Sequence, residues 1–311
     1  MKKQLINKHF GKLIILLLLV LFISCEKSDT ILSPSDMKED FSFLCESLID
    51  IHPDIYANFP RSEFEREKEN FLAKFGSPLS PDEFYYDLVE FVAKVRDDHT
   101  GLFASDEVSE SLKYLPINLK WFGDELRVVN ATGPYEDILK RARIDTLGGL
   151  FTEDLLSRLW DYAFAENEYW LKEHFTSHLS EQLVLNRITG RNWQGFVPIS
   201  YRLNGRVEEL RLELPFVGYD KRPKVEIQEE PYFEYRILDN IGAVHFTFRK
   251  FFEAQAIRKL GKERASQFEL AETEDFKDFL ERMFREAHEK KAQYIIIDLR
   301  ENTGGSSILG F

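Results

Sequence analysis

The first part of the chain, residues 36–112, carries apolar residues at helical spacing. A first helix is predicted from Asp36 to Ile51, and it ends at His52-Pro53 because the residue before a proline avoids helical backbone angles. A second helix follows and stops before Pro78. The apolar face of the first helix comprises Phe41, Leu44, Cys45 and Leu48, and that of the second comprises Phe64, Phe71, Leu72 and Phe75.

A third helix has the clearest predicted start. Ser80 to Glu83 matches a capping box, with Pro81 at the first helical position. The helix ends at the polar segment Arg96–Leu102, "RDDHTGL", which contains His99. Its apolar face comprises Phe84, Leu88, Val92 and Val95.

In residues 113–215 the spacing of apolar positions changes to the two-residue period of β-strands. Two strands are predicted to meet at Gly123-Asp124, and the segment Ile138–Leu159 predicts a strand, a glycine turn and a helix. Asn204-Gly205 between alternating apolar residues is typical of a β-hairpin. Strands with one or two helices between them predict a compact α+β module.

Residues 216–311 predict a βαβ unit. The segment Ile241–Phe248 is typical of a strand, Thr273 is a candidate cap for an amphipathic helix, and Tyr294–Leu299 is a second apolar strand. Strands joined by a crossover helix are parallel, and such strands are expected to be buried on both faces. The segment Asp298–Gly305 then follows a carboxyl strand end, where ligands bind in open α/β sheets.

Composition narrows the possible partners. The 311 residues are 43% apolar and 14% aromatic, enough for packed cores. The net charge of −13 repels a phosphate backbone, which argues against nucleic-acid binding. Protein and peptide substrates are compatible with this charge.

The N-terminus has the segments of an export signal in their usual order. Four lysines precede the apolar run Leu13–Ile23, which is short for a bilayer span and is followed by Ser24-Cys25. This order resembles a bacterial lipobox, with residues 1–24 as signal peptide, lipid on Cys25 and 25–35 as tether. It implies a lipid-anchored protein of a Gram-negative cell envelope, at the outer membrane. The alternatives are an ordinary signal peptide and an uncleaved anchor.

If Cys25 carries lipid, Cys45 is the one cysteine that remains in the sequence, and it is predicted to be a small buried side chain. No internal disulfide is then possible.

Two segments of the sequence contain candidate catalytic or ligand-binding residues. Gly304 and Gly305 leave bare backbone amides, which suit an oxyanion or a phosphate, although a simple strand-to-helix turn also uses such a pair. His99 is a candidate general base or a solvated histidine at a helix end. His52 is interpreted as a helix-ending residue and His245 as a core histidine. No spacing of ligand types indicates a metal site, and no cofactor is expected.

The segment Tyr294–Ser307, "YIIIDLRENTGGSS", resembles the hallmark of the tail-specific, or C-terminal-processing, serine peptidases and of the tricorn protease core. "LIDIHPDIY", "VRDDHTGL", "ARIDTLGGLFTEDLL" and "IGAVHFTFRKF" resemble other family segments in the same order. The resemblance implies a multidomain α/β protein. Its parts are a helical N-terminal domain (36–112), a PDZ-like α+β domain (113–215) and an incomplete crotonase-like peptidase core (216–311).

The same resemblance implies site roles. Gly305, or else Gly304, would donate an oxyanion-hole amide, and His99 matches the general base of tricorn-type members. Members with a serine–lysine dyad do not need this histidine. The family's nucleophilic serine lies well beyond the glycine pair, where Ser306 and Ser307 match turn residues. The chain is therefore expected to be the N-terminal portion of a serine peptidase without its catalytic serine.

A second class of function stays open. The same core is similar to interphotoreceptor retinoid-binding protein, which carries hydrophobic ligands. A lipid-anchored, non-catalytic protein that binds peptides or hydrophobic ligands is thus the alternative.

Overall fold

The computed structural model describes residues 31–203, 209–224, 230–251 and 274–305, which belong to two compact units. The first unit is Met1–Val225 and the second is Glu226–Phe311. Several predictions fall outside the described residues and stay predictions. They concern Cys25, the Asn204-Gly205 turn, Thr273, Ser306 and Ser307.

The first unit opens with helices where the apolar spacing predicts them. These are α1 (Pro34–Ile51), α2 (Arg61–Lys74) and α3 (Pro81–Val92). Helix α1 begins earlier than predicted because the Ser33 hydroxyl accepts the Asp36 N–H at 3.2 Å and so caps it.

The three helices enclose an aromatic cluster. Its rings pack mostly edge-to-face, as in the Phe41–Phe91 pair with centroids 4.9 Å apart. Cys45 is fully buried in the same cluster, and this burial raises the pKa of its thiol to about 12. The prediction of a small buried side chain is confirmed. The cluster includes Phe41, Phe59, Phe64, Phe71, Phe75, Phe84 and Phe91.

Helix α3 starts at the predicted residue, but the predicted capping box does not form. The Ser80 hydroxyl donates to the Asp82 carboxylate, and the same Asp82 oxygen accepts the Glu83 N–H at 3.0 Å. The Glu83 side chain pairs with Arg187 at 2.8 Å instead of reaching back to Ser80. An ionised carboxylate is the stronger acceptor, so Asp82 takes the role predicted for Ser80.

Helix α3 is buried on two sides. Phe84 and Phe91 face the aromatic cluster, whereas Tyr86 and Val89 belong to the core of the following sheet. A short 3₁₀ turn, Ala93–Val95, then leads into the polar segment that carries His99.

The remainder of the first unit is built around a β-sheet. The strands of the unit are β1 (Lys113–Tyr114), β2 (Ile117–Phe122), β3 (Glu125–Ala131), β4 (Arg143–Leu147), β5 (Leu150–Phe151), β6 (Phe196–Arg202), β7 (Leu210–Pro215) and β8 (Val217–Gly218). The strand order in the sheet is β2-β3-β4-β6-β7. All its pairings are antiparallel, and the hairpin at Gly123-Asp124 is confirmed by the pair Phe122 and Glu125.

More helix accompanies this sheet than the sequence predicts. The helices are α4 (Asp106–Ser111), α5 (Tyr135–Ile138), α6 (Thr152–Leu159), α7 (Glu168–His174) and α8 (Gln182–Thr189). The predicted strand, glycine turn and helix correspond to β4, Gly148-Gly149 and α6. Across the described part of the chain, no helix has both the length and the apolar character needed to cross a membrane.

The described part of the second unit is a three-stranded sheet with one long helix packed on it. Its elements are β9 (Phe233–Leu238), β10 (Ala243–Phe248), α9 (Phe276–Glu289) and β11 (Tyr294–Asp298). Strands β10 and β11 pair in parallel, as the βαβ prediction requires. Strand β9, which was not predicted, pairs antiparallel with the other edge of β10.

The prediction that β11 is buried on both faces is wrong. Ile295, Ile296 and Ile297 are 45%, 41% and 59% exposed. Helix α9 packs on β9 and β10, through Phe233, Val244 and other apolar residues. Within the described residues β11 pairs only with β10, so it is an edge strand.

Candidate active-site residues

The Asp97 carboxylate closes the turn that carries His99. Asp97 Oδ1 accepts the backbone N–H of His99 at 3.0 Å, and Oδ2 accepts the Thr100 hydroxyl at 2.6 Å. The Thr100 N–H also donates to the Asp97 carbonyl at 3.3 Å. A carboxylate that bonds the amide two residues ahead forms an Asx-turn, which fixes the local backbone.

The electrostatics of Asp97 favour its ionised form. Burial opposes ionisation, but hydrogen bonds from Thr100 and from the His99 amide outweigh it. The hydrogen bond from His52 acts in the same direction, so the pKa of Asp97 lies below its ordinary value. The turn is thus held by a permanent negative charge at neutral pH.

The His99 side chain projects into solvent and contacts a second carboxylate. It is 90% exposed, and its Nδ1 lies 2.5 Å from Oδ1 of Asp98. That Asp98 oxygen is buried and makes no hydrogen bond of regular geometry within the described residues. An Nδ1–H directed at this oxygen would leave Nε2 to accept a proton.

His52 reaches the same turn from the end of helix α1. Its Nε2 lies 2.9 Å from Asp97 Oδ2, and its Nδ1 accepts the Asp54 N–H at 3.1 Å. Since Nδ1 accepts a hydrogen bond, the ring proton lies on Nε2 and is donated to Asp97. His52 is the C-cap residue of α1, as predicted, but its bond to Asp97 was not predicted.

Three neighbouring side chains in this turn have metal-ligand chemistry. Within the described residues, one oxygen or nitrogen from each of Asp97, Asp98 and His99 lies within 4.8 Å of the others. Both Asp97 oxygens already accept hydrogen bonds. Exposed acidic groups are often this close without a metal, so we assign no metal site to them.

Gly304 and Gly305 follow β11 in the second unit. Their φ angles are +81° and +129°, in the region that favours glycine. A Cβ atom on Gly305 would lie 2.2 Å from the Phe251 carbonyl oxygen, so a larger residue does not fit without a shift of the backbone. Both glycines are therefore required by the path of the chain.

The amides of the two glycines point in different directions. The Gly304 N–H donates to Asn302 Oδ1 at 2.8 Å. Gly305 forms a parallel bridge with Phe251, whose N–H donates to the Gly304 carbonyl at 2.8 Å. In a parallel ladder only one residue of a bridged pair bonds the partner strand; here that residue is Phe251, so the N–H of Gly305 is directed away from the Phe251 strand. Of the two amides, that of Gly305 is the one aimed away from its own turn.

Asn302 fixes this glycine turn to the neighbouring strand. Its Nδ2 donates to the Phe248 carbonyl at 2.7 Å while its Oδ1 accepts from Gly304. The Thr303 N–H donates to the Arg249 carbonyl at 2.9 Å. The turn is thus hydrogen-bonded to the carboxyl end of β10.

Asp298 and His245 form a polar group on the sheet face opposite α9. Arg300 donates to both Asp298 oxygens, at 2.9 and 2.6 Å, and this holds the pKa of the carboxyl well below its ordinary value. His245 Nε2 lies 3.3 Å from Asp298 Oδ2. The interpretation of His245 as a core residue is wrong. Alternate strand residues face opposite sides, and Val244 and Phe246 occupy the apolar side.

The predicted residues lie in both units. His99 belongs to the first unit, and Gly304 and Gly305 belong to the second. The structure brings His99 together with Asp98, Asp97 and His52. The adjacent Asp-Asp-His triplet was the only sequence signal for Asp98 as a partner.

Solved structures of mature CPAF, a chlamydial serine protease, share this mixed α/β fold. A complex with lactacystin has a TM-score of 0.51 at 13% identity, covering 89% of this chain and 58% of that chain. A crystal structure of mature CPAF has a TM-score of 0.51 at 14% identity, covering 88% and 56%. The chain thus spans less than three fifths of the CPAF chains it matches.

The structural similarity shows a shared fold, and at 13–14% identity it shows nothing further, so function has to be argued from the site. No family model and no curated protein matches the chain.

Proposed function

We propose that this chain belongs to a serine-type peptidase that acts on proteins or peptides. The observation that carries the proposal is the exposed imidazole of His99 with its Nδ1 against the Asp98 carboxylate. A carboxylate on Nδ1 selects the tautomer whose Nε2 accepts a proton, as in the Ser-His-Asp arrangement. The fold shared with CPAF, which is a serine protease, supports the same reaction class.

In this proposal His99 is the general base. Its Nε2 takes the proton of a serine hydroxyl as the serine oxygen bonds to the carbonyl carbon of the substrate. The proton then passes to the amide nitrogen, the C–N bond breaks and an acyl-enzyme forms. Water then attacks the acyl-enzyme while His99 takes its proton, and His99 returns that proton to the serine oxygen as the ester bond breaks. This step releases the carboxylic acid product and restores the serine. We assign no nucleophilic serine within the described residues.

Gly305 is proposed as a donor to the oxyanion. The Gly304 amide already bonds Asn302, whereas the Gly305 amide is directed away from its own turn. Preorganised backbone amides stabilise the negative charge on the carbonyl oxygen because no reorientation is needed during the reaction. The role of His99 and the role of Gly305 each rest on the geometry of their own unit.

The finer assignment follows the sequence resemblance. We place the protein with the tail-specific and tricorn-type serine endopeptidases. The sheet of the first unit is then a PDZ-like module, and the second unit is part of a crotonase-like core. The resemblance of the segment 294–307 supports this branch.

The proposal is tested by active-site labelling. The protein produced from its natural gene is expected to react with a serine-directed fluorophosphonate and to cleave a fluorogenic peptide library. Heat-denatured protein serves as the control and is expected to remain unlabelled. A folded protein that neither takes up the probe nor cleaves any peptide would overturn the peptidase assignment and favour the non-catalytic binding protein.

Lipid attachment at Cys25 is a separate proposal, supported by the order of segments in residues 1–25. Cys25→Ala is expected to move the protein out of the membrane fraction or to stall its processing, because acyl chains supply the membrane affinity. Cys45→Ala is the matched control, since Cys45 is buried in the aromatic cluster and its loss leaves fractionation unchanged. Unaltered fractionation of Cys25→Ala, with an unmodified Cys25 in the wild type by mass spectrometry, would contradict the anchor.

A further inference from the structure

The position of the His99 ring depends on its backbone. The side chain is 90% exposed, and its Nδ1 contacts the carboxylates of Asp97 and Asp98. A ring with so little packing cannot be held in place by its neighbours' shape. Its location is therefore determined by the turn Asp97–Thr100.

The conformation of this turn depends on the carboxylate of Asp97, and His52 holds that carboxylate in place. Asp97 accepts the His99 amide and the Thr100 hydroxyl at 3.0 and 2.6 Å. Its Oδ2 also receives the Nε2–H of His52 at 2.9 Å. A carboxylate with a third, charge-assisted partner has less freedom to rotate away from the amide that it orients.

His52 is a rigid point of attachment. Its own N–H donates to the Leu48 carbonyl at 3.1 Å as the cap of α1, and its side chain is 12% exposed. The Asp54 N–H fixes the ring orientation by bonding Nδ1 at 3.1 Å. Helix α1 is itself embedded in the aromatic cluster through Phe41 and Cys45. The hydrogen bond from His52 thus attaches the Asp97 carboxylate to a helix that is itself held by packing.

The other side of the turn is held by Arg96. This residue has a left-handed φ of +56°, and its guanidinium donates to the Trp160 carbonyl at 2.6 Å. The guanidinium also stacks over the Trp160 ring at 4.7 Å. Arg96 therefore fixes the start of the turn, and the hydrogen bond between Asp97 and His52 holds the part nearest to His99.

We infer that His52 is a positioning residue for His99, acting through Asp97 and the backbone of the turn. The inference rests on the proposed function, in which His99 is the general base. His52 touches neither His99 nor substrate in this scheme. It restricts the turn so that Nε2 of His99 keeps one direction, and misplacement of a catalytic group by about 1 Å costs on the order of 100-fold in rate.

Two substitutions at His52 separate positioning from folding. His52→Leu keeps apolar bulk but removes the donor to Asp97. His52→Gln places an amide N–H near the position of Nε2 and is expected to restore the bond. The matched control is Cys45→Ala, which weakens the packing of the same helix without touching the turn.

The first measurement is the mobility of the turn, and it does not depend on enzymatic activity. In ¹⁵N relaxation the amide order parameters of His99 and Thr100 are expected to be about 0.85 in the wild type and to fall toward about 0.6 in His52→Leu. His52→Gln is expected to recover the wild-type values, and Cys45→Ala to keep them. Unchanged order parameters in His52→Leu would overturn the inference, whatever the enzymatic result.

The second readout is kinetic. His52→Leu is expected to lower kcat by about 10- to 100-fold with KM nearly unchanged, and His52→Gln to recover most of kcat. An equal loss of kcat in Cys45→Ala at the same loss of thermal stability would show that His52 acts only through stability. Loss of order in the turn without any effect of His99→Ala on activity would overturn the general-base role and retain the structural link.

Discussion

His99→Ala is expected to lower kcat by about 10²- to 10⁴-fold in the protein produced from its natural gene, because a general base is lost. The same change is expected to leave the melting temperature nearly unaltered. The side chain is 90% exposed, so its removal costs little packing. The measurement is hydrolysis of a fluorogenic peptide, paired with thermal unfolding followed by circular dichroism.

The matched control for this variant is His288→Ala. His288 is also exposed, lies in the last turn of α9 and has no role in the proposed reaction. Asp98→Asn provides an intermediate case, because an amide orients the ring less well than a carboxylate and does not favour its protonated form. Activity of His99→Ala within a few-fold of the wild type would return His99 to a solvated helix-end residue. A serine–lysine dyad would then be the better mechanism.

Helical periodicity was sufficient to predict the first three helices. The spacing of Phe64, Phe71 and Phe75 gave α2, and Pro81 marked the first residue of α3. These signals are local, since a helix buries a stripe of residues three and four apart. The capping arrangement at Ser80 could not be predicted in the same way, because Asp82 competes for the same amide and Arg187 draws Glu83 away.

Strand predictions failed where they depended on neighbours. Phe233, Tyr235 and Ile237 alternate with polar residues, so the pattern of β9 was present in the sequence but was not used. The three isoleucines of β11 were taken as buried, yet burial is decided by what lies on each face of the sheet. An apolar run alone does not contain that information.

The candidate site was only partly visible in the sequence. Asp98 and His99 are adjacent, so their pairing was accessible to local reasoning. His52 and Asp97 are 45 positions apart, and their hydrogen bond exists only because α1 and the end of α3 pack together. Contacts of this kind follow from tertiary structure, and no spacing rule predicts them.

Asp87→Ala is expected to destabilise the fold strongly, by about 3 kcal/mol, because it removes the buried carboxylate that pairs with Arg187 and leaves this buried cation with the more exposed Glu83 as its nearest partner. Asp87 is 2% exposed, and its Oδ1 lies 2.6 Å from Arg187 and 2.8 Å from Lys74. Burial opposes the charge of Arg187, but Asp87 and Glu83 outweigh it and raise the pKa of the guanidinium. The measurement is the free energy of unfolding from urea titration.

Glu63→Ala is the control for this prediction. Glu63 pairs with Arg66 on the surface of α2, where both side chains are at least 45% exposed, and such pairs contribute about 0–1 kcal/mol. A loss of stability in Asp87→Ala no larger than in Glu63→Ala would contradict the prediction.

A double variant distinguishes the loss of a favourable pair from the cost of an unpaired charge. In Asp87→Leu with Arg187→Met, both charges are replaced by apolar side chains, and much of the stability is expected to return. Arg187 lies on α8 and Asp87 on α3, so this pair joins the helical part of the first unit to the helix beside its sheet. Helix α3 leads through Ala93–Val95 directly into the turn of His99. If the double variant recovers stability but not activity, the ion pair sets the orientation of α3, and with it the direction of the proposed base.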